Sequence, residues 1–213
     1  MSSMKRFTSL QATAAPLMHA NIDTDIVIRI ERMVGNSIRG SLGKWCFGAL
    51  RYLPDGSENP EFVLNRAPYR KAEILVVGPN FGCGSSREPA VWALQEMGIK
   101  AIVGSGFGDI FYNNCFQNGV LPVILDPAVV QSIAQEVEQT QGTGRVTVDL
   151  EAGQVTTPSG RQHGFTVEPR RRTALLEGLD EIAATLRRDA EIRAFQARDR
   201  AERPWIHSIG EEA

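Results

Sequence analysis

The chain has 213 residues, of which 42% are hydrophobic and 23% charged, and its formal net charge is −2. This composition is that of a globular protein with a sizeable core, and it offers none of the basic excess that nucleic-acid binding requires. The sequence has neither the apolar core of a signal peptide nor an apolar run of about 18 residues, so we predict a cytoplasmic protein with no membrane segment.

From residue 73 onward, short apolar runs alternate with helical patterns. Strands are predicted at 73–79, 100–105 and 120–125, and helices at 88–98, 109–119 and 127–139. Gly98 and Gly119 stand where helix C-termini favour glycine, and Pro127 stands where a helix start tolerates a missing N–H. The alternation predicts an α/β fold made of βαβ units, with a parallel sheet and right-handed crossovers.

The C-terminal part adds a small β-element and a helical segment. Residues 145–150 and 153–160 alternate apolar and polar side chains, which is typical of a β-hairpin. Residues 173–186 and 187–203 have helical periodicity, and the charges of the second helix are interpreted as a solvated face. We therefore predict a single domain, residues 1–213, with a helical extension at about 173–205.

The stretch NFGCGSSREPAVWAL (80–94) connects a predicted strand to a predicted helix. Its glycines allow tight turning and expose backbone N–H groups to an anion, and the fork of Arg87 suits a carboxylate. Pro89 favours Ser86 as the N-cap, because Pro89 then falls at N3 and loses no hydrogen bond, which leaves Ser85 free to face a ligand. An alternative interpretation of the same residues is an ordinary helix N-cap serine next to a surface arginine.

Several other catalytic signatures do not fit. The loop is neither a nucleophile elbow nor a dinucleotide or phosphate loop, and the three histidines are far apart in sequence. Cys46, Cys83 and Cys115 form no short-spaced pair, so neither a zinc site nor a disulfide is predicted. Three single thiolates spread over about seventy residues would be an unusual set of iron–sulfur ligands.

Five blocks of sequence occur in an order that resembles a known family. They are NIDTDIVI (21–28), RYLPDGSENPEFVLN (51–65), NFGCGSSRE (80–88), GDIFYNNCFQNGVLPVIL (108–125) and LLEGLDEIAATL (175–186). This set resembles the small subunits of isopropylmalate isomerase (3-isopropylmalate dehydratase), which carry the swivel domain of the aconitase superfamily. The resemblance implies a swivelling β/β/α domain that docks on a separate large subunit. That subunit would hold a 4Fe-4S cluster, and this chain itself would bind no cofactor and no metal.

The resemblance also implies roles for individual residues of two motifs. In the GSSRE motif, Ser85 maps onto the general base, while Ser86 and Arg87 map onto positions that contact the substrate. In the N-terminal motif, Asp25 is expected to be catalytic and Thr24 to bind substrate.

An arginine downstream of the N-terminal motif is expected to bind a substrate carboxylate. Arg39 in NSIRGSLG is our candidate, and Arg32 is a rival. The substrate implied is a small hydroxy-dicarboxylate, and the reaction is the interconversion of 2- and 3-isopropylmalate by dehydration and rehydration in leucine biosynthesis. Such chemistry needs the developing negative charge to be stabilised, which arginines do well.

The chain departs from the family pattern close to the motifs. Pro89 stands where the family usually has histidine, Arg29 where it has proline, and GFGDIF replaces SFADIF. These changes keep two alternatives open. One is a paralogous small subunit acting on a related hydroxy-diacid such as 2-methylmalate, which is dehydrated to citraconate, and the other is a non-catalytic carboxylate-binding module.

Overall fold

The computed structural model describes residues 4–34 and 39–207. The strands are β1 Ser9–Ala12, β2 Ala14–Leu17, β3 Ile74–Val77, β4 Ala101–Gly104, β5 Leu121–Ile124, β6 Val146–Asp149, β7 Gln154–Thr156 and β8 Gln162–Gly164. The α-helices are α1 Thr24–Val27, α2 Gly48–Arg51, α3 Glu88–Met97, α4 Asp109–Gln117, α5 Pro127–Gln139, α6 Pro169–Glu177, α7 Glu181–Leu186, α8 Asp189–Glu202 and α9 Pro204–His207. Short 3₁₀ helices cover Ile30–Arg32, Gly43–Trp45 and Val63–Asn65.

A parallel four-stranded sheet forms the centre of the fold. Its strand order is β2-β3-β4-β5, and every neighbouring pair is parallel. All residues of β2, β3 and β4 are buried, which explains why these strands are continuous apolar runs rather than alternating ones. Helix α5 packs against β2, β3 and β4. The predicted α/β architecture is confirmed, and Gly98 and Gly119 adopt the positive φ expected after a helix.

A second, antiparallel sheet has the order β1-β6-β7-β8. The predicted hairpin is its β6–β7 pair, in which Val148 lies opposite Val155. The sequence did not reveal β1 and β8, because both are short and neither alternates clearly between apolar and polar residues. Only Thr13 separates β1 from β2, so one extended segment supplies a strand to each sheet.

A buried carboxylate links this second sheet to α5. Glu136 accepts a hydrogen bond from the Ser159 backbone N–H at 3.1 Å and pairs with Arg161. Desolvation raises the pKa of Glu136, but hydrogen bonds from Thr157, Ser159 and Arg161 outweigh it and lower the pKa to about 2. The carboxylate is therefore ionised in the folded protein, and it fixes the turn between β7 and β8 against the helix.

The C-terminal helices differ from the prediction in their boundaries. The helical segment begins at Pro169 rather than near residue 173, and the predicted helix 173–186 is two helices. Gly178 has φ +69° at the end of α6, and Asp180 caps α7 through the Ala183 N–H at 2.7 Å. The apolar periodicity continued through this break, but a glycine and a capping aspartate stop one helix and start another. Within the described residues, no helix has the length and apolar character needed to cross a membrane.

Candidate active site

The loops that follow β2, β3 and β4 meet at the carboxyl edge of the parallel sheet. Four backbone hydrogen bonds join them: Asn21 N–H to Pro79 O (3.0 Å), Gly82 N–H to Ile22 O (2.7 Å), Phe81 N–H to Gly106 O (3.2 Å) and Gly108 N–H to Phe81 O (2.9 Å). The segment GCGSSR (82–87), called the serine loop below, therefore begins between two neighbouring loops. Ligands of open α/β sheets bind at this edge of the sheet.

Glycine is required in the serine loop for two physical reasons. Gly82 and Gly84 have φ values of +71° and +90°, which other residues adopt only with strain. A Cβ on Gly82 would also overlap the ring of Phe111, whose centroid lies 5.4 Å from that of Phe81. The tight turning expected from the glycine spacing is present, and it rests on an aromatic cluster beneath the loop.

Thr24, the first residue of α1, is bound to the serine loop by both its backbone and its side chain. Its N–H donates to the Cys83 carbonyl at 3.0 Å, and its hydroxyl donates to the Ser85 carbonyl at 3.0 Å. The residue is only 2% exposed. The structure therefore directs the Thr24 hydroxyl to the backbone that carries Ser85.

Asp25 and Arg87 form an ion pair between α1 and the serine loop. The Arg87 side chain is 15% exposed and that of Asp25 is 52% exposed, so the guanidinium is mostly enclosed while the carboxylate is open to solvent. The pair links residues 62 positions apart in sequence. Four predicted site residues, Thr24, Asp25, Ser85 and Arg87, are thus brought together.

Ser85 and Ser86 are both exposed, but the predicted N-cap is wrong. Helix α3 begins at Glu88, and its N-cap is Arg87, whose backbone is extended and whose side chain makes no capping bond. Pro89 occupies N2, and its missing N–H is tolerated there as it is at N3, so the proline alone did not determine the first helical residue. Ser85 lies outside the helix, as predicted, and Ser86 does too.

Arg39 lies against α3, whereas its rival Arg32 lies elsewhere. The Arg39 guanidinium is 4.9 Å from the centroid of the Trp92 ring, and it donates to Asn118 Oδ1 at 3.2 Å. Arg32 stacks on Trp45 at 3.6 Å. Residues 35–38, the preceding part of the motif that contains Arg39, lie outside the described residues.

The backbone that follows Arg39 is fixed by one carboxylate of α3. Glu96 accepts hydrogen bonds from the N–H groups of Gly40 (2.6 Å), Leu42 (2.5 Å) and Gly43 (3.0 Å). A Cβ on Gly43 would lie 2.7 Å from the Glu96 carbonyl carbon, so glycine permits this close approach. Arg39 is therefore placed on α3 by Glu96, a residue that no motif or spacing had marked.

Two of the three cysteine thiols are enclosed in the core. Cys46 and Cys115 are fully buried, and burial raises the pKa of both thiols, so neither is a thiolate at neutral pH. Cys83, in the serine loop, is partly exposed. Among residues 4–34 and 39–207, no three His, Cys, Asp or Glu side chains are grouped so that they could hold a metal ion.

Family comparisons agree with this fold. Residues 4–128 match the model of the aconitase C-terminal domain, which places the chain in the aconitase class of proteins. Residues 131–169 match the LeuD_N model, and residues 181–207 match the model of the C-terminal domain of the 3-isopropylmalate dehydratase small subunit.

Full-length relatives define the family more narrowly. The 3-isopropylmalate dehydratase small subunit of Cupriavidus necator is 51% identical over 209 residues, which cover 97% of this chain and 100% of the relative. That of Gluconacetobacter diazotrophicus is 48% identical over 202 residues, covering 95% and 97%. The chain belongs to the family of 3-isopropylmalate dehydratase small subunits, as its sequence motifs predict, and a small subunit implies a large-subunit partner.

A solved structure shares the fold. The crystal structure of 3-isopropylmalate dehydratase (leuD) from Methanocaldococcus jannaschii superposes with a TM-score of 0.61. It is 22% identical and covers 88% of this chain and 99% of that one. The chain thus has the overall fold of a known architecture.

Proposed function

We propose that this chain is the small subunit of a cytoplasmic hydro-lyase that interconverts 2- and 3-isopropylmalate, and that it is active only with its large subunit. The observation that carries this proposal is that α1 is joined to the serine loop, at the carboxyl edge of the sheet, by the Thr24–Ser85 hydrogen bond and the Asp25–Arg87 ion pair, while Ser85 itself is exposed. The substrate is proposed from the relatives described above, one of them 51% identical, which are 3-isopropylmalate dehydratase small subunits.

Ser85 is proposed as the general base that removes the proton next to a substrate carboxylate. A serine hydroxyl is a weak base, so its alkoxide needs nearby positive charge and hydrogen-bond donors. Arg87 stands two residues away, and the N-terminus of the ten-residue helix α3 follows it directly. The helix N-terminus favours negative charge at this loop, and Arg87, whose charge is balanced by Asp25, supplies hydrogen-bond donors. Ser86 and Arg87 are proposed to bind the substrate, for which the planar guanidinium suits a carboxylate.

The resemblance implies a catalytic role for Asp25 and a substrate-binding role for Thr24, but both are proposed here to support the serine loop from α1, because Thr24 is buried and Asp25 is paired with Arg87. Asp25 holds the Arg87 guanidinium through their ion pair, and its carboxylate stays open to solvent. Thr24 holds the Ser85 backbone through its hydroxyl. Arg39 is proposed to bind a second carboxylate from the side of α3.

The 4Fe-4S cluster is proposed to reside on the large subunit. No cluster-binding set of side chains is present among the described residues of this chain, where Cys46 and Cys115 are enclosed and protonated. When bound, such a cluster would supply a Lewis acid for the departing hydroxyl. The residues of the small subunit would bind, orient and deprotonate the substrate.

Anaerobic reconstitution with the large subunit tests this function. The complex is isolated by size exclusion, and alkene formation is followed by absorbance with 3-isopropylmalate and, in parallel, with 2-methylmalate. We expect faster turnover of isopropylmalate. Preference for 2-methylmalate would assign the chain to a related hydroxy-diacid, with Pro89 and Arg29 as the first residues to revert, and a stable cluster-loaded complex inactive on both would contradict the proposal.

A further inference from the structure

Asn118, at the C-terminal end of α4, is a buried side chain that uses both ends of its amide. The residue is 7% exposed. Its Oδ1 accepts hydrogen bonds from Arg39 at 3.2 Å and from the Trp92 indole N–H at 2.9 Å. Its Nδ2 donates to Glu88 Oε1 at 2.8 Å and to the Asn114 carbonyl at 2.9 Å.

The chemistry of these neighbours determines the orientation of the amide. Arg39 and Trp92 have donors only, so the atom facing them must be the oxygen. The Glu88 carboxylate and the Asn114 carbonyl have acceptors only, so the atom facing them must be the nitrogen. Asn118 therefore presents one fixed acceptor to the guanidinium of Arg39.

Arg39 is held by two different contacts, one with Trp92 on α3 and one with Asn118 at the end of α4. The Trp92 ring provides a cation–π surface, which restricts the distance of the guanidinium but allows it to slide and rotate. The hydrogen bond to Asn118 restricts its direction. Glu88, the first residue of α3, directly follows the serine loop and binds the same amide, so the amide also couples Arg39 to the start of the helix.

We propose that Asn118 is a positioning residue that orients Arg39 toward a substrate carboxylate. The proposal rests on the function proposed above, in which Arg39 binds substrate. In the sequence, Asn118 stands out only as part of the block at 108–125. An asparagine directly before a glycine at the end of a helix is usually an ordinary helix cap, so the sequence alone does not indicate a positioning role.

A double-mutant cycle on the reconstituted two-subunit enzyme distinguishes the two roles. The variants are Asn118→Ala, Arg39→Ala and the double variant, measured for KM and kcat with 3-isopropylmalate. Loss of one hydrogen bond from a charged donor corresponds to about a tenfold change in binding, so Asn118→Ala is expected to raise KM by up to about tenfold with little change in kcat. In the Arg39→Ala background the same substitution should leave KM unchanged.

Two further variants separate positioning from packing. Gln95→Ala removes the bond from the Gln95 side chain to the Asn118 carbonyl, at the same junction of α3 and α4, without touching the Asn118 amide. It should lower the melting temperature and leave KM unchanged. Asn118→Leu is close in size to asparagine and adds no charge beside Glu88, so it serves if the alanine variant does not fold. It removes the acceptor of Arg39 and should also raise KM, again only when Arg39 is present.

The outcomes separate the inference from the function on which it rests. An equal rise in KM in the presence and absence of Arg39, or no rise at all, would overturn the role of Asn118. If Arg39→Ala itself left KM unchanged, the substrate role of Arg39 would fail first.

Discussion

Replacing Thr24 with valine exchanges its hydroxyl for a methyl group of similar size, so the hydrogen bond is lost while the packing is kept. The residue is 2% exposed, and its hydroxyl donates to the Ser85 carbonyl at 3.0 Å. Loss of a single hydrogen bond of this kind costs about 1 kcal/mol of folding free energy, which corresponds to about 2–4 °C in melting temperature for a chain of this size. The serine loop should also lose its fixed position, and a shift of the base by about 1 Å can lower kcat by about 100-fold.

Thr24→Ser is the matched control, because it keeps the hydroxyl and removes the buried methyl group. Loss of that methyl group also costs about 1 kcal/mol, so the two variants should have similar melting temperatures. Only the valine variant should lose kcat by at least about tenfold in the complex with the large subunit. Equal kcat values for the two variants would refute the role of the Thr24 hydroxyl in placing Ser85.

The remaining predictions concern pH, backbone conformation and the choice between two arginines. The pKa of Glu136 lies below its ordinary value of 4.5, at about 2, so its stabilisation is present above pH 4.5 and is lost as the pH falls toward 2. At neutral pH this stabilisation is at most about 3 kcal/mol. When the free energy of unfolding, measured in urea, is plotted against pH, Glu136→Gln should change less than the wild type between pH 4.5 and 2. Parallel curves for the two proteins would contradict the assignment. Gly82→Ala should prevent folding or lower the melting temperature by more than about 5 °C, because the added Cβ would clash with the buried Phe111 ring. Gly56→Ala is the control: Gly56 also has a positive φ but open space around it, so the substitution should lower the free energy of unfolding by only about 1 kcal/mol. In steady-state kinetics, Arg39→Ala should raise KM about tenfold or more and Arg32→Ala less than about twofold. The reverse order would assign the binding of the substrate carboxylate to Arg32.

Three strands of the parallel sheet, β3, β4 and β5, could be predicted from sequence because each is a mostly buried apolar run, and the helices that follow them could be predicted because each has a marked end. β1, β2, β8 and the break at Gly178 were not predicted, because these short segments carry little pattern and the apolar period continues across the break. In these cases pairing with distant strands, or a single backbone angle, decides the structure.

In the candidate site, the residues could be predicted from the sequence, but the contacts between them could not. The glycines, serines and arginine of the serine loop predicted an anion site, with an ordinary helix cap as the alternative, and the resemblance to the family added Thr24 and Asp25. The contacts between these motifs were not predictable, since Asp25 meets Arg87 only through the packing of α1 beside the loop. The same holds for Asn118, whose distant partners come from two separate parts of the chain, the segment of Arg39 and helix α3.

The central claim is that Ser85 is the base of a two-subunit hydro-lyase. The most direct test is alkene formation from 3-isopropylmalate by the anaerobically reconstituted complex carrying Ser85→Ala, with Ser86→Ala measured beside it and assembly checked by size exclusion. We predict that both complexes assemble, that Ser85→Ala abolishes turnover, and that Ser86→Ala retains measurable turnover with a raised KM. Normal turnover by the assembled Ser85→Ala complex would contradict the assignment of Ser85 as the base.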